Sequence, residues 1–273
     1  MFRLESRLSI LATPTQNAES TMAERELSST RSFWKRKQLR EGRRSRYVEV
    51  RETDLYTVRA DAMEGGLADS VARVLGTGKE ADVYLALWKG SPLALKVYRL
   101  HRTAQRKGSM IGYAQDRMGA LAAKEFTTLQ KAYRSGVPVP TPAKRVDNMF
   151  TMKFLGDDSF EKAPQLKDVE VEDMCELARQ TLGIVEKLAR ASIVHGDLSE
   201  YNIVVDNDRL FAIDFLQSID LSSRVDRHRQ VELAKPLLVR DLENLSHFFA
   251  KHDVRIDVAE EYMRLLPLLE SEG

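Results

Sequence analysis

The chain has 273 residues, with 42 lysines and arginines against 41 aspartates and glutamates. A chain of this length can bury a sizeable core, and charged residues of both signs make up 30% of it, which excludes collagen-like, disulfide-scaffold and membrane-embedded classes. No apolar stretch approaches the roughly 20 residues that span a bilayer, and the N-terminal residues do not match a signal peptide. We therefore expect a soluble globular protein of the cytoplasm that does not associate with membranes.

The single cysteine, Cys175, cannot form an intramolecular disulfide. It lies in an apolar helical pattern, which favours a buried structural thiol over a nucleophile. We therefore assign no chemistry to it.

The small formal net charge of +1 conceals a basic segment near the N-terminus. Residues 31–46 hold eight basic side chains and one acidic one, so this segment carries +7 and the rest of the chain −6. The residues before it are rich in Ser, Thr, Glu and Ala, a composition that does not offset the entropy of ordering. We interpret residues 1–47 as a mobile, basic, serine-rich tail, residues 48–68 as a lead-in segment and residues 69–273 as the folded domain.

From residue 69 the sequence first follows a strand pattern and then a helical one. Residues 69–99 predict a strand, a glycine turn, a second strand, a hairpin and a third strand. Residues 117–134 have helical spacing, and Gly136 and Pro138 end that helix. Its buried face is expected to comprise Met118, Leu121, Ala122, Phe126, Leu129 and Tyr133.

The second half of the chain is predominantly helical. After a proline-rich connection, residues 148–156 predict a strand, and a long helix follows. Its buried stripe is expected to comprise Val171, Met174, Leu177, Ala178, Thr181, Leu182, Val185 and Leu188. Short β segments around residues 193, 203–205 and 210–213 precede the final helices. The order predicts an α+β protein with a β-rich lobe and a helical lobe.

Gly76 and Gly78 lie between two predicted strands. Glycines at such a turn allow backbone N–H groups to approach a phosphate without hindrance from side chains. An ordinary tight hairpin turn explains the same two residues.

Lys96 lies in an apolar strand, where an unpaired ammonium group is costly to bury. Glu125, on the following helix, is the expected anionic partner, and Lys96 is also expected to reach the phosphate oxygens of a ligand. The alternative is an edge-strand lysine that faces solvent.

Residues 193–215 give the strongest functional signal. Two short apolar strands flank a polar loop, and the second strand ends in an aspartate, so Asp197, Asn202 and Asp214 are expected to meet at one site. Phosphoryl transfer needs a group that orients the nucleophile and hard oxygen ligands for Mg²⁺, and these side chains supply both. Turn-forming and capping roles are the structural alternative.

The pattern H-x-D-x-x-x-x-N, followed by an aspartate after a strand, resembles the protein-kinase signature. More narrowly, the chain resembles the RIO family of atypical serine/threonine protein kinases over about residues 69–255. The matching phrases are GTGKEADVY at 76–84, APQLKD at 163–168, HGDLSEYN at 195–202 and IDFLQ at 213–217. Features of both the branch with a winged helix and the branch without one are present.

The resemblance implies a protein-kinase-like fold with a reduced helical lobe, with ATP and Mg²⁺ or Mn²⁺ as cofactors. By the same resemblance, Asp197 and Asp214 are catalytic, and Asn202 and Asp214 hold the metal. The implied nucleotide-binding residues are Gly76, Gly78, Lys79, Val83, Lys96, Glu125, Met152, Phe154 and Leu155. The family assists late maturation of the small ribosomal subunit, which implies pre-ribosomal RNA as a partner, contacted here by the basic segment Arg31 to Arg46, and no DNA.

Several residues depart from the pattern of ordinary protein kinases. Ala81 replaces the third glycine of the loop, so we expect side chains such as Lys79 and Glu80 to fix the turn. Gly196 replaces the arginine that reads a phosphorylated activation loop. Only 76 residues follow Asp197, and Asp214 leads soon into the final helices, so we expect no peptide-docking platform. We expect ATP hydrolysis or self-phosphorylation instead, with Asp214 as a candidate phosphoryl acceptor.

Residues 100–116 lack periodicity and are expected to form a mobile loop beside the active site, in which Ser109 is a candidate self-phosphorylation site. Two other functions are compatible with the same motifs. One is a small-molecule phosphotransferase of the aminoglycoside or choline kinase type, and the other is a non-catalytic ATP-binding assembly factor.

Overall fold

The computed structural model describes residues 34–41, 44–51, 54–99, 112–169, 173–222 and 225–271. The chain divides into two units, residues 1–52 and residues 53–273. Most of the predicted loop at 100–116, including Ser109, lies outside the described residues, as does Val171. The last five residues of that loop instead begin a helix.

The first unit contains two antiparallel strands, β1 (Trp34–Glu41) and β2 (Arg44–Arg51). We predicted no helix or strand in residues 1–47. The charged and turn-forming residues of this segment conceal the alternation of side chains that is typical of strands. The mobility of this segment stays a prediction.

The second unit begins with α1 (Leu55–Glu64) and a five-stranded antiparallel sheet. The sheet is built from β3 (Ser70–Thr77), β4 (Ala81–Trp88), β5 (Ser91–Tyr98), β6 (Pro142–Val146) and β7 (Met149–Lys153), in the order β3-β4-β5-β7-β6. The strands predicted in residues 69–99 and 148–156 are therefore confirmed. β6 is the strand of this sheet that the sequence missed, because it lies at the sheet edge, where a proline such as Pro142 is tolerated.

The two faces of the sheet pack against different partners, because successive side chains of a strand point to opposite faces. Tyr84, Leu95 and Val97 pack with Val58 and Ala62 of α1 in a small core. The opposite face contributes to a larger core that is shared with the helical part of the unit. Its members from the sheet include Ala81, Tyr98 and Phe150. The sheet therefore separates α1 from the helical lobe.

Helix α2 (Gly112–Arg134) packs on the sheet, against β5, β6 and β7, and belongs with it to the β-rich lobe. In the described ranges, the helical lobe comprises three helices and two short strand pairs. The helices are α3 (Met174–Arg190), α4 (Arg227–Ala250) and α5 (Val258–Glu270). The strands are β8 (Ile193–Val194), β9 (Ile203–Asp206), β10 (Arg209–Ala212) and β11 (Ile219–Asp220), and β9 pairs with β10 and β8 with β11. This is the predicted two-lobed α+β architecture. Within the described ranges, no helix is both long enough and apolar enough to cross a membrane.

Two side chains that were expected to be buried are exposed. Cys175 is exposed because it lies on the face of α3 that also carries the exposed Arg179, one turn later. Tyr133 is 46% exposed, whereas its neighbour Ala132 takes the inward position in the last turn of α2.

Candidate functional site

The register of the sheet brings four of the predicted nucleotide-binding residues to one face. Gly76 pairs with Val83, and Val83 pairs with Lys96 on the next strand. Two residues before Lys96, Ala94 pairs with Met152 of β7. Directly paired residues of antiparallel strands project to the same face, so Val83, Lys96 and Met152 line one surface beside Gly76. This surface is the side of the sheet that faces the helical lobe.

In the glycine turn, the backbone is closely packed at Gly78 and open at Gly76. The N–H of Gly78 donates to the carbonyl of Ala81 at 2.9 Å, and a Cβ at Gly78 would lie 2.9 Å from that same oxygen. Gly78 is therefore required by the turn itself. A Cβ at Gly76 would meet nothing within 4 Å, so the backbone there is open to a phosphate-bearing ligand.

Arg99 fixes this turn, in contrast to the prediction that Lys79 and Glu80 would do so. Its guanidinium donates to the carbonyl of Gly78 at 2.8 Å and forms an ion pair of 2.8 Å with Asp82. Lys79 is exposed, and its side chain makes no hydrogen bond or ion pair within the described part of the chain. A long side chain at the end of β5 reaches back to the turn, whereas those of the turn itself point to solvent.

Lys96 is held between two carboxylates. It is 6% exposed, and its Nζ donates to Oε1 of Glu125 at 2.7 Å and to Oδ1 of Asp214 at 3.0 Å. Burial opposes the charge on Lys96, but the two carboxylates outweigh burial and raise its pKa above the usual value. The ammonium is therefore permanently charged at the centre of the site, and the predicted pair of Lys96 with Glu125 is present.

Glu125 connects the sheet, α2 and the segment after Asp214. Besides Lys96, it accepts hydrogen bonds from the Tyr98 hydroxyl and, at 3.0 Å, from the backbone N–H of Phe215. The neighbouring Lys124 donates to the carbonyl of Leu216 at 2.9 Å. Burial and the adjacent Glu125 raise the pKa of Tyr98, so the hydroxyl remains a donor. One helix thus positions the backbone on the C-terminal side of Asp214.

The three polar residues that were expected to meet are linked in space. The Asn202 side chain donates to the backbone carbonyl of Asp197 at 2.8 Å and lies 3.4 Å from its Oδ2. The carbonyl of Asn202 accepts from the N–H of Ile213 at 2.9 Å, which places Asp214 directly beside this loop. The alternative, that these residues only form turns and cap strands, accounts for part of the geometry, because the Asn202 amide holds the loop. It does not explain the contact of Asp214 with Lys96.

Asp214 has a partly exposed side chain and an unusual backbone. Its φ is 65°, in the left-handed region that non-glycine residues rarely adopt, and 47% of its side chain is exposed. Burial alone would raise its pKa, but Lys96 outweighs burial and lowers the pKa, so Asp214 is a carboxylate near neutral pH. An ionised oxygen ligand therefore lies at the open side of the site, held in a costly conformation of the kind that often marks functional residues.

Asp241 is a site residue that the sequence reasoning did not identify. It lies on α4, is 2% exposed, and accepts the backbone N–H groups of Gly196 and Leu198 at 2.8 Å each. Asn244, one turn later, donates to the carbonyl of Leu198 at 3.1 Å. Burial raises the pKa of Asp241 to about 7, because its two hydrogen bonds offset the loss of water only in part. The available signal was an aspartate within the apolar stripe of a helix.

His195 and Gly196 shape the same loop. His195 is fully buried, its Nε2 lies 3.1 Å from the carbonyl of Ile213, and burial lowers its pKa to about 4. Gly196 has a φ of 78°, and a Cβ there would lie 2.8 Å from the carbonyl oxygen of Gln217. The loop therefore excludes the arginine that ordinary kinases carry at this position.

The predicted adenine-binding hinge follows β7. Phe154 and Leu155 are 6% and 8% exposed, and the carbonyl of Leu155 accepts from the N–H of Ala163 at 3.0 Å. Met152 packs against the larger core. The segment is therefore held by packing and by this hydrogen bond, and its contact with adenine stays a prediction.

The donor set at Asn202 and Asp214 suits Mg²⁺. This ion usually takes one or two protein oxygens, with phosphate oxygens and water completing its coordination shell. In the part of the chain that the structure describes, no three His, Cys, Asp or Glu side chains converge on a metal site. A site made of one carboxylate and one amide is consistent with a metal that arrives with a nucleotide.

The geometry of this site agrees with comparisons to known proteins. The profile of the RIO domain matches residues 82–263, which is more than half of the sequence. The chain belongs to the RIO family. Its RIO domain match extends from the strand that follows the glycine turn to the last helix, and it includes Lys96, Asp214 and Asp241.

Archaeal RIO kinases are similar over most of this chain. A RIO-type serine/threonine-protein kinase Rio1 from Haloferax volcanii is 31% identical over 209 residues, which are 71% of this chain and 68% of the relative. Rio1 from Methanocaldococcus jannaschii is 31% identical over 201 residues, 69% and 66% of the two chains. The RIO3 kinase of Caenorhabditis elegans is 32% identical, but the match covers only 38% of it. The match thus spans about two thirds of each archaeal relative and less than half of the RIO3 kinase.

A solved RIO kinase confirms the fold. The crystal structure of the Rio2 kinase from Chaetomium thermophilum superposes with a TM-score of 0.66 at 22% identity, covering 94% of this chain and 78% of that one. The prediction of an enzyme of the RIO kinase class is confirmed. Membership in the RIO family also argues against a small-molecule phosphotransferase of the aminoglycoside or choline kinase type.

Proposed function

We propose that this protein transfers the γ-phosphoryl group of ATP in a Mg²⁺-dependent reaction. The observation that carries this proposal is the position of Lys96, a buried ammonium held between Glu125 and Asp214 on the side of the sheet that faces the helical lobe. A fixed cation at this point stabilises phosphate oxygens, and phosphoryl transfer depends chiefly on such positioning and electrostatics. Mn²⁺ is a possible substitute for Mg²⁺, since both ions prefer oxygen ligands.

The other residues have separable roles in this reaction. Gly76, Gly78 and Val83 border the nucleotide, and Met152 to Leu155 contact the adenine. Asn202 and Asp214 bind the metal, which neutralises charge on the phosphates when bound. Asp197 orients an attacking hydroxyl group or water molecule.

We further propose that Asp214 itself accepts the phosphoryl group. An oxygen of the Asp214 carboxylate attacks the γ-phosphorus, the bond to the β,γ-bridging oxygen breaks, and ADP leaves. Water then hydrolyses the acyl phosphate and releases inorganic phosphate. In support, a solved Rio2 kinase from Chaetomium thermophilum, 21% identical to this chain, is described as an ADP/Mg²⁺-phosphoaspartate complex. The exposed side of Asp214 leaves room for this attack.

A single-turnover experiment with γ-labelled ATP and Mg²⁺ tests this mechanism. We expect a labelled protein whose label is sensitive to hydroxylamine and is lost in the Asp214→Asn variant. Hydroxyl-bound phosphate from self-phosphorylation of serine or threonine, for example at Ser109, resists hydroxylamine and serves as the internal comparison. Rapid transfer to a defined protein partner, with negligible hydrolysis and no trapped aspartyl species, would contradict the proposal.

The cellular role proposed for this activity is maturation of the small ribosomal subunit in the cytoplasm. Cycling between phosphorylated and free Asp214 would let the protein bind and release a pre-ribosomal partner. The membership in the RIO family motivates this proposal, and the basic N-terminal segment supports it. A non-catalytic role for ATP is the alternative, and the same single-turnover experiment separates the two.

The basic segment Arg31 to Arg46 is expected to bind ribosomal RNA. Eight basic residues that engage about half as many phosphates give a slope of log K against log salt of about −3 for single-stranded RNA. A chain that begins at residue 48 should bind such RNA about tenfold more weakly and with a much shallower slope. Filter binding at several salt concentrations measures both, and equal affinity and slope in the two proteins would disprove RNA binding by this segment.

A further inference from the structure

An open groove lies between α3 and the turn that joins β9 to β10. Its volume is about 490 Å³, and Ile184 and Leu210, both buried, form part of its apolar floor together with Pro138. None of its lining residues belongs to the ATP site described above. In the β9–β10 hairpin, the end near Asn202 and Asp214 serves the ATP site, and the opposite end, at the turn, borders the groove.

One face of α3 lines this groove with two basic side chains and, between them, a glycine. Arg179, Gly183 and Lys187 all line it and follow one another at intervals of four residues, so they stack along one face of the helix. A Cβ at Gly183 would meet nothing within 4 Å. Glycine in a helix interior is less favourable than alanine, and packing does not require it here. The space above Gly183 is therefore available to a ligand.

The rim of the groove is cationic. Lys187 and Arg209 form no ion pair with any carboxylate in the ranges that the structure describes. Arg179 pairs with Glu176, but its side chain is 74% exposed, and such surface pairs are weak enough to exchange for another carboxylate. Asp208 is the one carboxylate among the lining residues.

We propose that this groove binds an extended acidic peptide with the pattern acidic, any residue, apolar, any residue, acidic. The spacing supports this pattern. Residues four apart in a helix are separated by about 6 Å along its axis, and alternate residues of an extended peptide repeat every 6.6 Å or so on one face. The two carboxylates thus align with Arg179 and Lys187, and the apolar side chain enters the space above Gly183.

The same observations favour a peptide over a nucleic acid. The floor of the groove is aliphatic, and binding of single-stranded RNA relies on aromatic faces on which bases stack. The nearest aromatic ring on the hairpin, Phe211, is covered by the guanidinium of Arg209 at 5.7 Å from its centroid. In a peptide with an apolar side chain between two carboxylates, the apolar side chain matches the aliphatic floor of the groove and the carboxylates match its cationic rim.

The test is fluorescence anisotropy of a labelled peptide containing Glu-Ser-Leu-Ser-Glu with the full chain. We expect saturable binding that weakens as salt is raised. Lys187→Glu and Gly183→Leu should each reduce the affinity at least tenfold or so, the first by reversing a charge and the second by filling the space. A peptide with serine in place of the leucine, and one with lysines in place of the glutamates, should each bind at least about tenfold more weakly.

Two control variants separate this proposal from effects on folding. Arg229→Glu reverses another exposed charge, outside the groove, and should leave peptide affinity unchanged. Gly183→Ala should raise the melting temperature, because alanine favours the helix and has room there. No saturable binding, or peptide binding that Gly183→Leu and Lys187→Glu leave unchanged, would overturn the proposal. So would binding of a single-stranded RNA that depends on Lys187 when the peptide does not bind.

Discussion

Replacing Lys96 with alanine will lower the rate of ATP turnover by a factor of roughly 10² to 10³. Removing one fixed electrostatic contact to the reacting group commonly costs this much. Lys96 is suited to such a contact because its ammonium is buried, charged and anchored on both sides by Glu125 and Asp214. The measurement is steady-state release of phosphate from ATP in the presence of Mg²⁺.

The variant should nevertheless fold. Breaking a buried ion pair typically costs about 3–5 kcal/mol because one charge loses its partner. Here Glu125 keeps the Tyr98 hydroxyl and the Phe215 N–H as donors, so we expect a smaller loss of unfolding free energy. Thermal melting by circular dichroism measures this loss, and Lys153→Ala, an exposed position on β7, is the matched control. Normal turnover in the Lys96 variant would refute the role of the ammonium.

Asp241→Asn is expected to reduce turnover by about a hundredfold without removing any group that contacts ATP. The carboxylate holds two backbone N–H groups of the loop that carries Asp197, one on each oxygen. An asparagine offers one acceptor oxygen and an NH₂ group that cannot accept, so one of the two N–H groups loses its partner. A small displacement of a catalytic group lowers the rate by about this factor.

The same variant should alter how stability depends on pH. The pKa of Asp241 is about 7 in the folded chain and about 4 when unfolded, so the folded state binds the extra proton between these values. The stability that this proton contributes is complete below pH 4 or so and is lost as the pH rises through 7. The unfolding free energy of the wild type minus that of Asp241→Asn should therefore fall with rising pH, at up to about 1.4 kcal/mol per unit.

Denaturant unfolding of both proteins at several pH values between 4.5 and 7.5 gives this difference directly. His195, whose pKa burial lowers to about 4, is present in both proteins, so its contribution cancels. Asn244→Ala, which removes one contact from the same loop but no titrating group, should slow turnover without this pH dependence. A difference that is flat with pH would show that Asp241 stays ionised in the folded chain.

The sequence predicted those parts of the fold in which local pattern and tertiary packing agree. Residues 69–99 alternate clearly because one face of the sheet packs on α1 and the other on the helical lobe. Lys96 could be paired with Glu125 because a charge in an apolar strand needs a partner, whatever the details of the fold. The loop from Asp197 to Asn202 and the strand that ends at Asp214 were found because their polar residues interrupt short apolar runs.

The missed features depend on contacts between distant parts of the chain. Arg99 contacts Gly78 across 21 residues, and Asp241 contacts Gly196 across 45. Each is a contact from a side chain to the backbone, which leaves no periodicity in the sequence. α1 was missed because its amphipathic pattern is weak, although Asp54 caps its first turn by accepting from the N–H of Thr57 at 2.7 Å. Cys175 was expected to be buried but is exposed. An apolar pattern does not determine which side of a helix is buried at its first turn.

The attachment of the catalytic loop to α4 has a consequence for the order in which the protein acquires activity. Protein synthesis releases the strand with Lys96 and the hairpin after Asn202 before it releases α4. Contacts between distant residues also form later than local ones, because they require the closure of long loops. A nascent chain that has not yet reached Asp241 therefore contains the residues proposed to bind ATP but lacks the acceptor that holds the loop. We therefore expect full turnover only once the helix that carries Asp241 is in place, and much slower consumption of ATP by incomplete chains.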